Sequence, residues 1–402
     1  MIKYNQVKKI LKDNVTSIKK TELISLDKAT NRYLATEIKS KFFIPPKDNS
    51  AVDGFIFNYK QYNISKNKNF VIKGEINAGE TSKSKIDVNS FLRISTGGQT
   101  PSNLDTVVMQ ENVVTEKNNI VSINGLIKKG MNVRKKGEDI KKGQLVFSKG
   151  HKLRPQDIGM LASLGISRVK VVKKIKIGIL SNGNELIEPG KKKKFYQIYD
   201  SNRYMLKSFL NKESVDWIDF KIVKDKESSV LKKIKNAKKK CDVLVITGGA
   251  STGKKDFMSY AIKEIGTLNF WKVSIKPGRP FGFGILPINK PTLMIPGNPV
   301  ASFTIFFLFG RFLINHMLGN NNFSHKSFKV KSNFVMKKKK GREEFLRARI
   351  FYKNNTMYVN KFKTQGAGIL NSLVWADGLV KLDEEKERIK KNEFLEFFPF
   401  EV

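Results

Sequence analysis

Cysteine and histidine are both scarce in this sequence of 402 residues. The single cysteine, Cys241, excludes an intramolecular disulfide and favours a reducing compartment. His151, His316 and His325 are far apart, and none is paired at the spacing of zinc ligands, so we expect no zinc site. The sequence has no Gly-x-Ser-x-Gly, and Cys241 opens a strand that is expected to be buried. Nothing therefore indicates nucleophilic catalysis.

Long hydrophobic runs are absent as well. Residues 1–15 carry charge and no apolar stretch of signal-peptide length. The longest apolar stretch, residues 300–310, ends at Arg311 and is too short to span a bilayer. We therefore expect a cytoplasmic protein without a membrane partner.

Acidic residues are few compared with basic ones. The chain has 76 Lys and Arg residues against 36 Asp and Glu residues, a formal net charge of +40. Such a charge taken alone suggests nucleic acid as a partner. The cations, however, are nearly all lysines scattered along the chain, together with many Phe, Ile and Asn residues that share AT-rich codons. Because no nucleic-acid-binding module is recognisable, we expect no nucleic-acid partner and interpret the lysine runs 191–194 and 337–340 as solvated turns.

The length and the pattern of the chain predict several domains. Residues 1–40 are expected to be mainly helical. Residues 41–142 are β-rich, with the short runs GFIFNY, FVIKGEI, SFLRIST and DTVVMQEN. Residues 171–320 alternate strand and helix, which is typical of a doubly wound α/β domain. The predicted strands there are 175–180, 217–223 and 241–246, and the predicted helices are 201–212, 227–240 and 257–265.

Two further helices and a barrel complete the prediction. One helix begins at Pro155, and another begins after Asn298, with Pro299 in its first turn. From residue 321 the chain is β-rich again, and Lys-Asn-Asn-Thr at 353–356 is a hairpin signal. We expect a small barrel or sandwich at this end.

Three glycine-rich turns within residues 243–302 give the strongest functional signal. They read VLVITGGASTGKKDF, VSIKPGRPFGFG and LMIPGNPVAS. In an open parallel sheet, backbone N–H groups and helix N-termini meet at the strand ends, so these turns predict a ligand site. The ligand is expected to be anionic, of the phosphate type, because basic residues lie in or beside the turns: Lys254, Lys255, Lys272, Lys276 and Arg279. GGASTGKKD lacks Walker spacing and is not interpreted as a nucleoside-triphosphatase motif.

The segment WKVSIKPG, residues 271–278, predicts a second anion-binding feature. On a strand, Lys272, Ser274 and Lys276 would share one face, and the alternate residues would share the other. Two ammonium groups and a hydroxyl would then bind an oxyanion. The alternative is an edge strand protected by lysines.

In GREEFLRARIF, residues 341–351, Phe345, Arg347 and Arg349 alternate with apolar residues. A guanidinium suits bidentate binding of an oxyanion. The alternative is structural pairing of these arginines with Glu343 or Glu344.

Several carboxylates lie in turns or at strand ends rather than on helix surfaces. Carboxylate oxygens suit a hard cation such as Mg²⁺. Turn formation is the alternative role for each one taken alone. The group consists of Asp53, Asp139, Glu185, Asp225 and Asp256.

These residues resemble the MoeA-type molybdopterin molybdotransferases, a family that includes the E domain of gephyrin. The resemblance extends in order over nearly the whole chain. It rests on PPKDNSAVDGF, RISTGGQTP, VVMQEN, NVRKKGEDI, LASLGISRVKV, SNGNEL, IYDSNR, TGGASTGKKD, FWKVSIKPGRPFGFG, PGNPVAS and GREEFLRA.

The resemblance implies an enzyme that takes adenylylated molybdopterin and molybdate, inserts molybdenum into the dithiolene and releases AMP, with Mg²⁺ as divalent cation. It also implies an elongated homodimer whose active site lies between the α/β domain of one subunit and the β-rich domain of the other. The domains implied are an elongated linker domain (21–40 and 143–170), a β-rich domain (41–142), an α/β molybdopterin-binding domain (1–20 and 171–320) and a C-terminal β-barrel (321–402).

The resemblance also assigns site residues. The acidic site residues implied are Asp53, Asp139, Glu185, Asp225 and Asp256, with Glu185 and Asp256 as metal ligands. The substrate-binding residues implied are Thr96, Gly248, Gly249, Ser251, Lys272, Lys276, Arg279, Asn298, Ser302 and Arg347.

Two positions depart from the family pattern. Many relatives have serine directly after PGNPV, where this chain has Ala301 followed by Ser302. Many have serine after Gln-Gly in the last domain, where Gln365-Gly366 here precedes Ala367. Both changes are expected to remove hydroxyl groups near the molybdate site.

Two other enzyme types and a scaffold role fit this sequence less well. A molybdopterin adenylyltransferase and CinA-like proteins share the α/β domain type, but the DNSAVDG and GEDI segments and the last β domain argue against both. A non-catalytic scaffold like gephyrin would need a partner-binding surface outside the enzyme core, and we expect none. Further partners expected from the pathway are the adenylyltransferase and apo-molybdoenzymes.

Overall fold

The computed structural model describes residues 1–65, 70–80, 87–115, 120–248 and 257–400. The chain divides into two compact units. The first consists of Met1–Thr36, Lys149–Gly159 and Ser167–Val402, and the second of Glu37–Ser148 and Met160–Ile166.

The described ranges contain nine α-helices. These are α1 Tyr4–Asn14, α2 Tyr59–Ile64, α3 Pro155–Ser163, α4 Ser201–Asn211, α5 Glu227–Lys240, α6 Phe257–Ile265, α7 Pro299–Ile305, α8 Arg311–Met317 and α9 Asn371–Trp375. A π-helical turn, Phe306–Gly310, joins α7 to α8. Leu26–Lys28 and Gln110–Asn112 are short 3-10 helices.

Most of the strands in the described ranges are short. They are β1 Thr21–Ser25, β2 Ile38–Lys39, β3 Asn49–Ser50, β4 Gly54–Phe57, β5 Phe70–Ile76, β6 Phe91–Ile94, β7 Thr106–Met109, β8 Val113–Thr115, β9 Ile120–Ile123, β10 Val133–Arg134, β11 Leu145–Phe147, β12 Arg168–Val172, β13 Ile175–Asn182, β14 Leu186–Ile187, β15 Ile198–Tyr199, β16 Val215–Val223, β17 Val243–Thr247, β18 Thr267–Phe270, β19 Ile275–Lys276, β20 Gly282–Leu286, β21 Lys290–Ile295, β22 Phe328–Ser332, β23 Met336–Lys337, β24 Glu343–Lys353, β25 Thr356–Lys361, β26 Gly378–Leu382, β27 Arg388–Ile389 and β28 Phe394–Pro399.

The second unit is built on a six-stranded sheet of order β7-β4-β6-β5-β9-β8. Alternate residues of β4 enter two clusters, with Ile56 in one and Phe55 and Phe57 in the other. The Phe57 and Phe91 rings stack with centroids 4.5 Å apart. The β-rich prediction for GFIFNY, FVIKGEI, SFLRIST and DTVVMQEN is confirmed, since these runs contain β4, β5, β6 and β7.

The first unit contains the doubly wound α/β sheet, with strand order β16-β13-β17-β21-β20-β18. The first four strands are parallel, and β20 and β18 form an antiparallel edge. Val243 and Val245 of β17 face a cluster that includes side chains of α1, α4, α7 and α8. Leu244 and Ile246 face the opposite cluster, with α5 and α6. The predicted alternation of strands and helices is confirmed.

The helical stretch Pro299–Met317 is longer than the sequence indicated. It is long and apolar enough to cross a membrane by length and composition alone, with mean hydropathy 1.4, but 83% of its most apolar window is buried inside the protein. Arg311 lies within this stretch, and its Nε donates a hydrogen bond of 2.8 Å to the buried Glu213 carboxylate, which offsets the cost of placing a charge there. This degree of burial is typical of a core helix. The stretch is therefore only weak evidence for a membrane span.

The last part of the chain forms a closed five-stranded barrel of order β24-β25-β22-β28-β26, in which β26 pairs back onto β24. Its interior includes Val330, Leu346, Val380 and Phe397. The predicted hairpin is confirmed, and the central residues Asn354 and Asn355 of its turn have φ of 47° and 54°. Asparagine tolerates this left-handed backbone better than most residues, and two such residues match the twist of a hairpin.

Candidate functional site

A cavity of about 840 Å³ lies at the carboxyl ends of β13, β17 and β21. Its walls come from these strand ends, from the N-termini of α4 and α7, from β14 and β15, and from the segment before α9. The lining residues are Asn182, Glu185, Leu186, Ile198, Tyr199, Asp200, Ser201, Asn202, Thr247, Gly248, Arg279, Pro280, Pro296, Gly297, Asn298, Pro299, Gly368 and Leu370. The ligand site predicted from the glycine-rich turns thus coincides with a cavity.

Gly248 allows two strand ends to approach each other. Its φ is +84°, and a Cβ there would lie 2.1 Å from the Asn182 carbonyl oxygen, so only glycine fits. The Asn202 amide donates hydrogen bonds of 2.8 Å to Thr247 Oγ1 and 2.7 Å to the Gly297 carbonyl. This side chain joins α4 to two strand ends of the cavity floor.

The two helix N-termini at the cavity differ in their capping. The Asp200 carboxylate accepts a hydrogen bond from the Arg203 backbone N–H at 3.2 Å and one from its Nε at 2.9 Å. Asn298 is the N-cap residue of α7, as the sequence predicted, and Pro299 follows it, but the Asn298 side chain makes no capping hydrogen bond. The Asn298 amide therefore stays available on the cavity wall.

Glu185 presents an exposed carboxylate to the cavity, and no hydrogen bond or ion pair engages it within the described ranges. Its neighbour Asn184 is fixed by Asp225, whose carboxylate accepts from the Asn184 N–H at 3.2 Å and whose N–H donates to Asn184 Oδ1 at 3.1 Å. Asp225 does not line the cavity. It holds the turn that carries Glu185.

Of the predicted basic residues that the structure describes, only Arg279 lines the cavity. Its side chain is exposed and meets no carboxylate of the described residues. Lys272 is exposed outside the lining. Lys276 also lies outside it, and its ammonium group is 3.2 Å from the carboxylate of Glu344, whose side chain is only 6% exposed.

The predicted row of Lys272, Ser274 and Lys276 is wrong. Only Ile275–Lys276 is a strand, and Ser274 is buried, with its Oγ donating to the Gly341 carbonyl at 2.7 Å. The row fails because the backbone before β19 is irregular: the Val273 N–H bonds to the Arg279 carbonyl and the Ser274 N–H to the Ile2 carbonyl.

Arg347 is buried, with 1% of its surface exposed. Its Nε donates to Ser372 Oγ at 3.0 Å and its Nη2 to the Gly366 carbonyl at 3.1 Å. Burial lowers the pKa of this guanidinium to about 10.

The structural pairing considered for the arginines is not observed. Glu343 is instead 3.0 Å from Lys381, and Glu344 pairs with Lys276. Arg349 is exposed and donates to the Trp375 carbonyl at 2.7 Å. Arg347 is thus a buried positive charge without an acidic partner among the described residues.

Ser302 is also fully buried, on α7, and does not line the cavity. Its Oγ has no hydrogen-bond partner within the described part of the chain.

The remaining described candidates belong to the second unit. The Asp53 carboxylate accepts hydrogen bonds from the Thr96 N–H at 2.6 Å and the Thr96 Oγ1 at 2.9 Å, which lower its pKa. Both residues are exposed. Asp139 is exposed too, and its carboxylate has no partner within the described ranges.

Three predicted residues, Gly249, Ser251 and Asp256, lie outside the described residues, as do Lys254 and Lys255. The proposed metal pair of Glu185 and Asp256 is consequently not tested. Among the described residues there is no group of three His, Cys, Asp or Glu side chains placed to hold a metal ion.

Sequence reasoning did not single out Asn182, Tyr199, Asp200 or Asn202, although SNGNEL and IYDSNR contain them. Only the position of these segments could have indicated the four residues, because each segment follows a strand or precedes a helix at the predicted ligand edge. Arg203 was missed as well, because nothing in its local pattern indicates that it is fully buried. It forms ion pairs with three carboxylates, those of Glu188, Asp200 and Asp219.

Three family models match successive parts of the chain. The MoeA N-terminal region (domain I and II) matches residues 2–165, a domain described as "Probable molybdopterin binding domain" matches 178–316, and the MoeA C-terminal region (domain IV) matches 329–400. The chain belongs to the MoeA family. The predicted resemblance and the predicted multidomain fold are thereby confirmed.

Individual MoeA proteins agree with this over most of their length. A molybdopterin molybdenumtransferase of Haemophilus influenzae is 32% identical over 403 residues, which cover 100% of this chain and 99% of that protein. One of Staphylococcus aureus is 31% identical over 300 residues, covering 74% and 71%. The crystal structure of a molybdopterin biosynthesis MoeA protein from Pyrococcus horikoshii has a TM-score of 0.84 and 31% identity, with 100% of both chains covered.

Proposed function

We propose that this protein is a molybdopterin molybdenumtransferase, which inserts molybdate into adenylylated molybdopterin and releases AMP. Its MoeA relatives carry that name, and its cavity has the polar groups that a phosphate-bearing ligand needs. The observation that carries the proposal is the position of this cavity at the carboxyl ends of three parallel strands, in the domain matched by the molybdopterin-binding family model. Nothing favours an adenylyltransferase or a scaffold.

The phosphate groups of the substrate are proposed to bind beside Gly248, Arg279 and Asn298. Gly248 brings backbone close to the ligand, Arg279 has a guanidinium without a carboxylate partner among the described residues, and the Asn298 amide is not used for capping. Backbone N–H groups and the start of a helix favour negative charge at such a place. Gly249 and Ser251 keep their proposed substrate-binding roles, which the described residues do not test.

Molybdate is proposed to bind near Arg347, Lys272 and Lys276. A buried charge without a counter-ion is costly, and an anion would offset that cost. Arg347 is such a charge as far as the described residues go, and the lysine ammonium groups remain partly exposed. The Oγ of Ser302, which has no hydrogen-bond partner in the part of the chain that the structure describes, is a further candidate donor. Asp53, Thr96 and Asp139 keep their proposed roles in the second unit.

Mg²⁺ is proposed as the cation. Mg²⁺ keeps several waters and is usually held by one or two carboxylates together with substrate phosphates, so a single free carboxylate on the cavity wall fits it. Glu185 supplies this carboxylate, with Asp256 as the second proposed ligand. The bound ion would neutralise charge on the phosphate that leaves with AMP.

The assembly and the location of the protein are proposed from its membership of the family. We propose a cytoplasmic homodimer that receives its substrate from the adenylyltransferase of the pathway and supplies apo-molybdoenzymes. The division into linker, β-rich, α/β and barrel domains at the boundaries given above is proposed as well.

The test combines purified protein, adenylylated molybdopterin, Mg²⁺ and molybdate. We expect AMP release that depends on both Mg²⁺ and molybdate, and activation of an added apo-molybdoenzyme. If AMP is not released, or if the apo-enzyme stays inactive, the proposal is wrong.

A further inference from the structure

The ammonium group of Lys8 lies against two aromatic rings. Lys8 is four residues after Tyr4 on α1, and its Nζ is 4.2 Å from the centroid of the Tyr4 ring and 5.8 Å from that of Phe312 on α8. The residue is partly buried, and within the described ranges no carboxylate lies at ion-pair distance from its ammonium group. An aromatic face attracts a cation less strongly than water or a carboxylate does, so the rings replace only part of the lost hydration.

A second ammonium group approaches the Tyr4 ring. The Nζ of Lys381, on β26, lies 5.5 Å from the centroid of that ring. It is 3.0 Å from the Glu343 carboxylate and 3.3 Å from that of Asp383, so Lys381 has acidic partners of its own. Lys8 therefore carries its charge where water is scarce, without a paired carboxylate, and near another cation.

These surroundings favour the neutral amine form of Lys8. Burial lowers the pKa of Lys8 to about 8, and the positive charge of Lys381 acts in the same direction. The carboxylates of Glu343 and Glu396 act in the opposite direction without reversing the shift. At pH 7 about a tenth of the Lys8 side chains are then neutral, against roughly one in 2,000 for a lysine with the ordinary pKa of about 10.4.

Two further titratable side chains face this place, and both are uncharged near neutral pH. Burial raises the pKa of the Tyr4 hydroxyl, and desolvation lowers the pKa of the His325 imidazole to about 3. Neither side chain therefore supplies a counter-charge to Lys8. Desolvation and a neighbouring cation are the conditions that make a lysine amine nucleophilic in proteins.

We propose that Lys8 is a site of acylation by acyl phosphates, the mixed anhydrides of a carboxylic acid and phosphoric acid. The Nζ attacks the acyl carbon, the bond from that carbon to the phosphate oxygen breaks, and inorganic phosphate leaves with the electron pair. The proton lost by the nitrogen passes to solvent. The product is a neutral amide, so the modification removes the poorly hydrated charge. Lys8 is not among the residues that line the cavity, and the proposal does not depend on the proposed function.

The experiment treats the full-length protein with acetyl phosphate and follows the acetylation of individual lysines by peptide mass spectrometry. Lys9 is the internal control, because it is the next residue of α1 and is exposed. Lys8 should react about ten-fold or more faster than Lys9 at pH 7.5, because far more of its amine is neutral. The rate at Lys8 should level off between pH 8 and pH 9, as its lowered pKa requires.

Two variants with opposite expected effects test the role of the neighbouring charges. Lys381→Gln removes the second cation and should slow the acetylation of Lys8. Glu343→Gln removes an opposing carboxylate and should speed it. Lys9 should react at the same rate in both variants as in the wild type, and circular dichroism checks that each variant is folded.

The proposal is overturned if Lys8 and Lys9 of the wild type react at the same rate. It is also overturned if the rate at Lys8 keeps rising about ten-fold per pH unit up to pH 10, because the amine would then have an ordinary pKa. A rate at Lys8 that neither variant changes would overturn it as well. If one variant does not fold, the wild-type comparison and the other variant still decide.

Discussion

Glu185 is the described residue whose role can be tested with least disturbance of the fold. We expect Glu185→Gln to lower Mg²⁺-dependent AMP release by orders of magnitude, because a carboxamide is a poor ligand for Mg²⁺ compared with a carboxylate. The melting temperature should not change, because the carboxylate has no partner among the described residues. AMP release measured against Mg²⁺ concentration checks this.

The matched control for Glu185 is Glu111→Gln, which changes an exposed glutamate outside the cavity. Equal activity and equal Mg²⁺ dependence in wild type and Glu185→Gln would exclude the metal role.

Substitution of Lys276 is expected to have two separable effects, one on molybdate use and one on the stability of the fold. Lys276→Ala removes one charge-assisted contact proposed for molybdate, and it also leaves the buried Glu344 carboxylate without its lysine. We expect a loss of about 1–2 kcal/mol in the free energy of unfolding, discounted because Lys276 is half exposed. We also expect a weaker dependence of AMP release on molybdate.

Adding Glu344→Gln to Lys276→Ala separates these effects. The double variant should regain most of the stability, since no uncompensated carboxylate is left, while molybdate use stays impaired. Recovery of both properties would assign Lys276 a structural role alone.

At the scale of elements, Arg203 joins α4 to the strands around it. Its buried guanidinium bonds to Asp200 before α4, to Asp219 on β16 and to Glu188 after β14. Removing one partner of a buried ion pair costs about 3–5 kcal/mol, so Arg203→Met should lower the free energy of unfolding by that order. Lys39→Met is the control: its ion pair with Glu37 is exposed on both sides and should cost less than about 1 kcal/mol. Denaturant unfolding measures both, and equal losses would contradict this account.

The π-helical turn between α7 and α8 carries a pH-dependent contact. The partly buried His325 Nε2 donates to the Leu308 carbonyl at 3.1 Å, its ring stacks on Phe307, and desolvation lowers its pKa to about 3. A histidine in the unfolded chain has a pKa of about 6.5. Between about pH 6.5 and pH 3 this residue is therefore protonated in the unfolded chain and neutral in the folded chain. Stability is therefore lost as pH falls below 6.5, by up to about 1.4 kcal/mol per pH unit for this group.

His325→Phe should remove this part of the acid sensitivity. Denaturant unfolding from pH 7 to pH 4 should give a shallower loss of stability for the variant than for the wild type, whatever the stability of the variant at pH 7. Parallel curves would mean that His325 does not titrate in this range.

Across the whole molecule, the sequence correctly predicted the helices and strands whose hydrophobic periodicity reflects which residues are buried. β17, with five buried residues in sequence, and α5, with one buried stripe, were both found where expected. The prediction failed at residues 271–276, where contacts with Ile2 and Gly341, distant in sequence, determine which side chains are buried. No local pattern contains that information.

The candidate site was predicted in part for the same reason. Glycine-rich turns at strand ends marked Gly248, Arg279 and Asn298 correctly as neighbours around one cavity. The burial of Arg347 and Arg203 depends on segments far along the chain, such as Ser372 and Asp219, and could not be read from the sequence.

The oligomeric state is a prediction at the same scale. We expect light scattering at micromolar concentration to give twice the chain mass of 45.8 kDa, because the family resemblance implies a homodimer. A particle with the mass of a single chain would contradict it.

The absence of a side chain at Gly183 leaves room for the Glu185 carboxylate beside the cavity. A Cβ at this position would lie 2.7 Å from the Glu185 carboxylate oxygens, which sit at the free end of a flexible side chain. An alanine there would push the carboxylate aside without removing it, and it would also be strained by the φ of 159°. Selection could thus alter the proposed role of Glu185, and with it the proposed choice of cation, through a residue that contacts neither the substrate nor the ion. A mutational scan scored by activity alone would mistake Gly183 for part of the catalytic machinery.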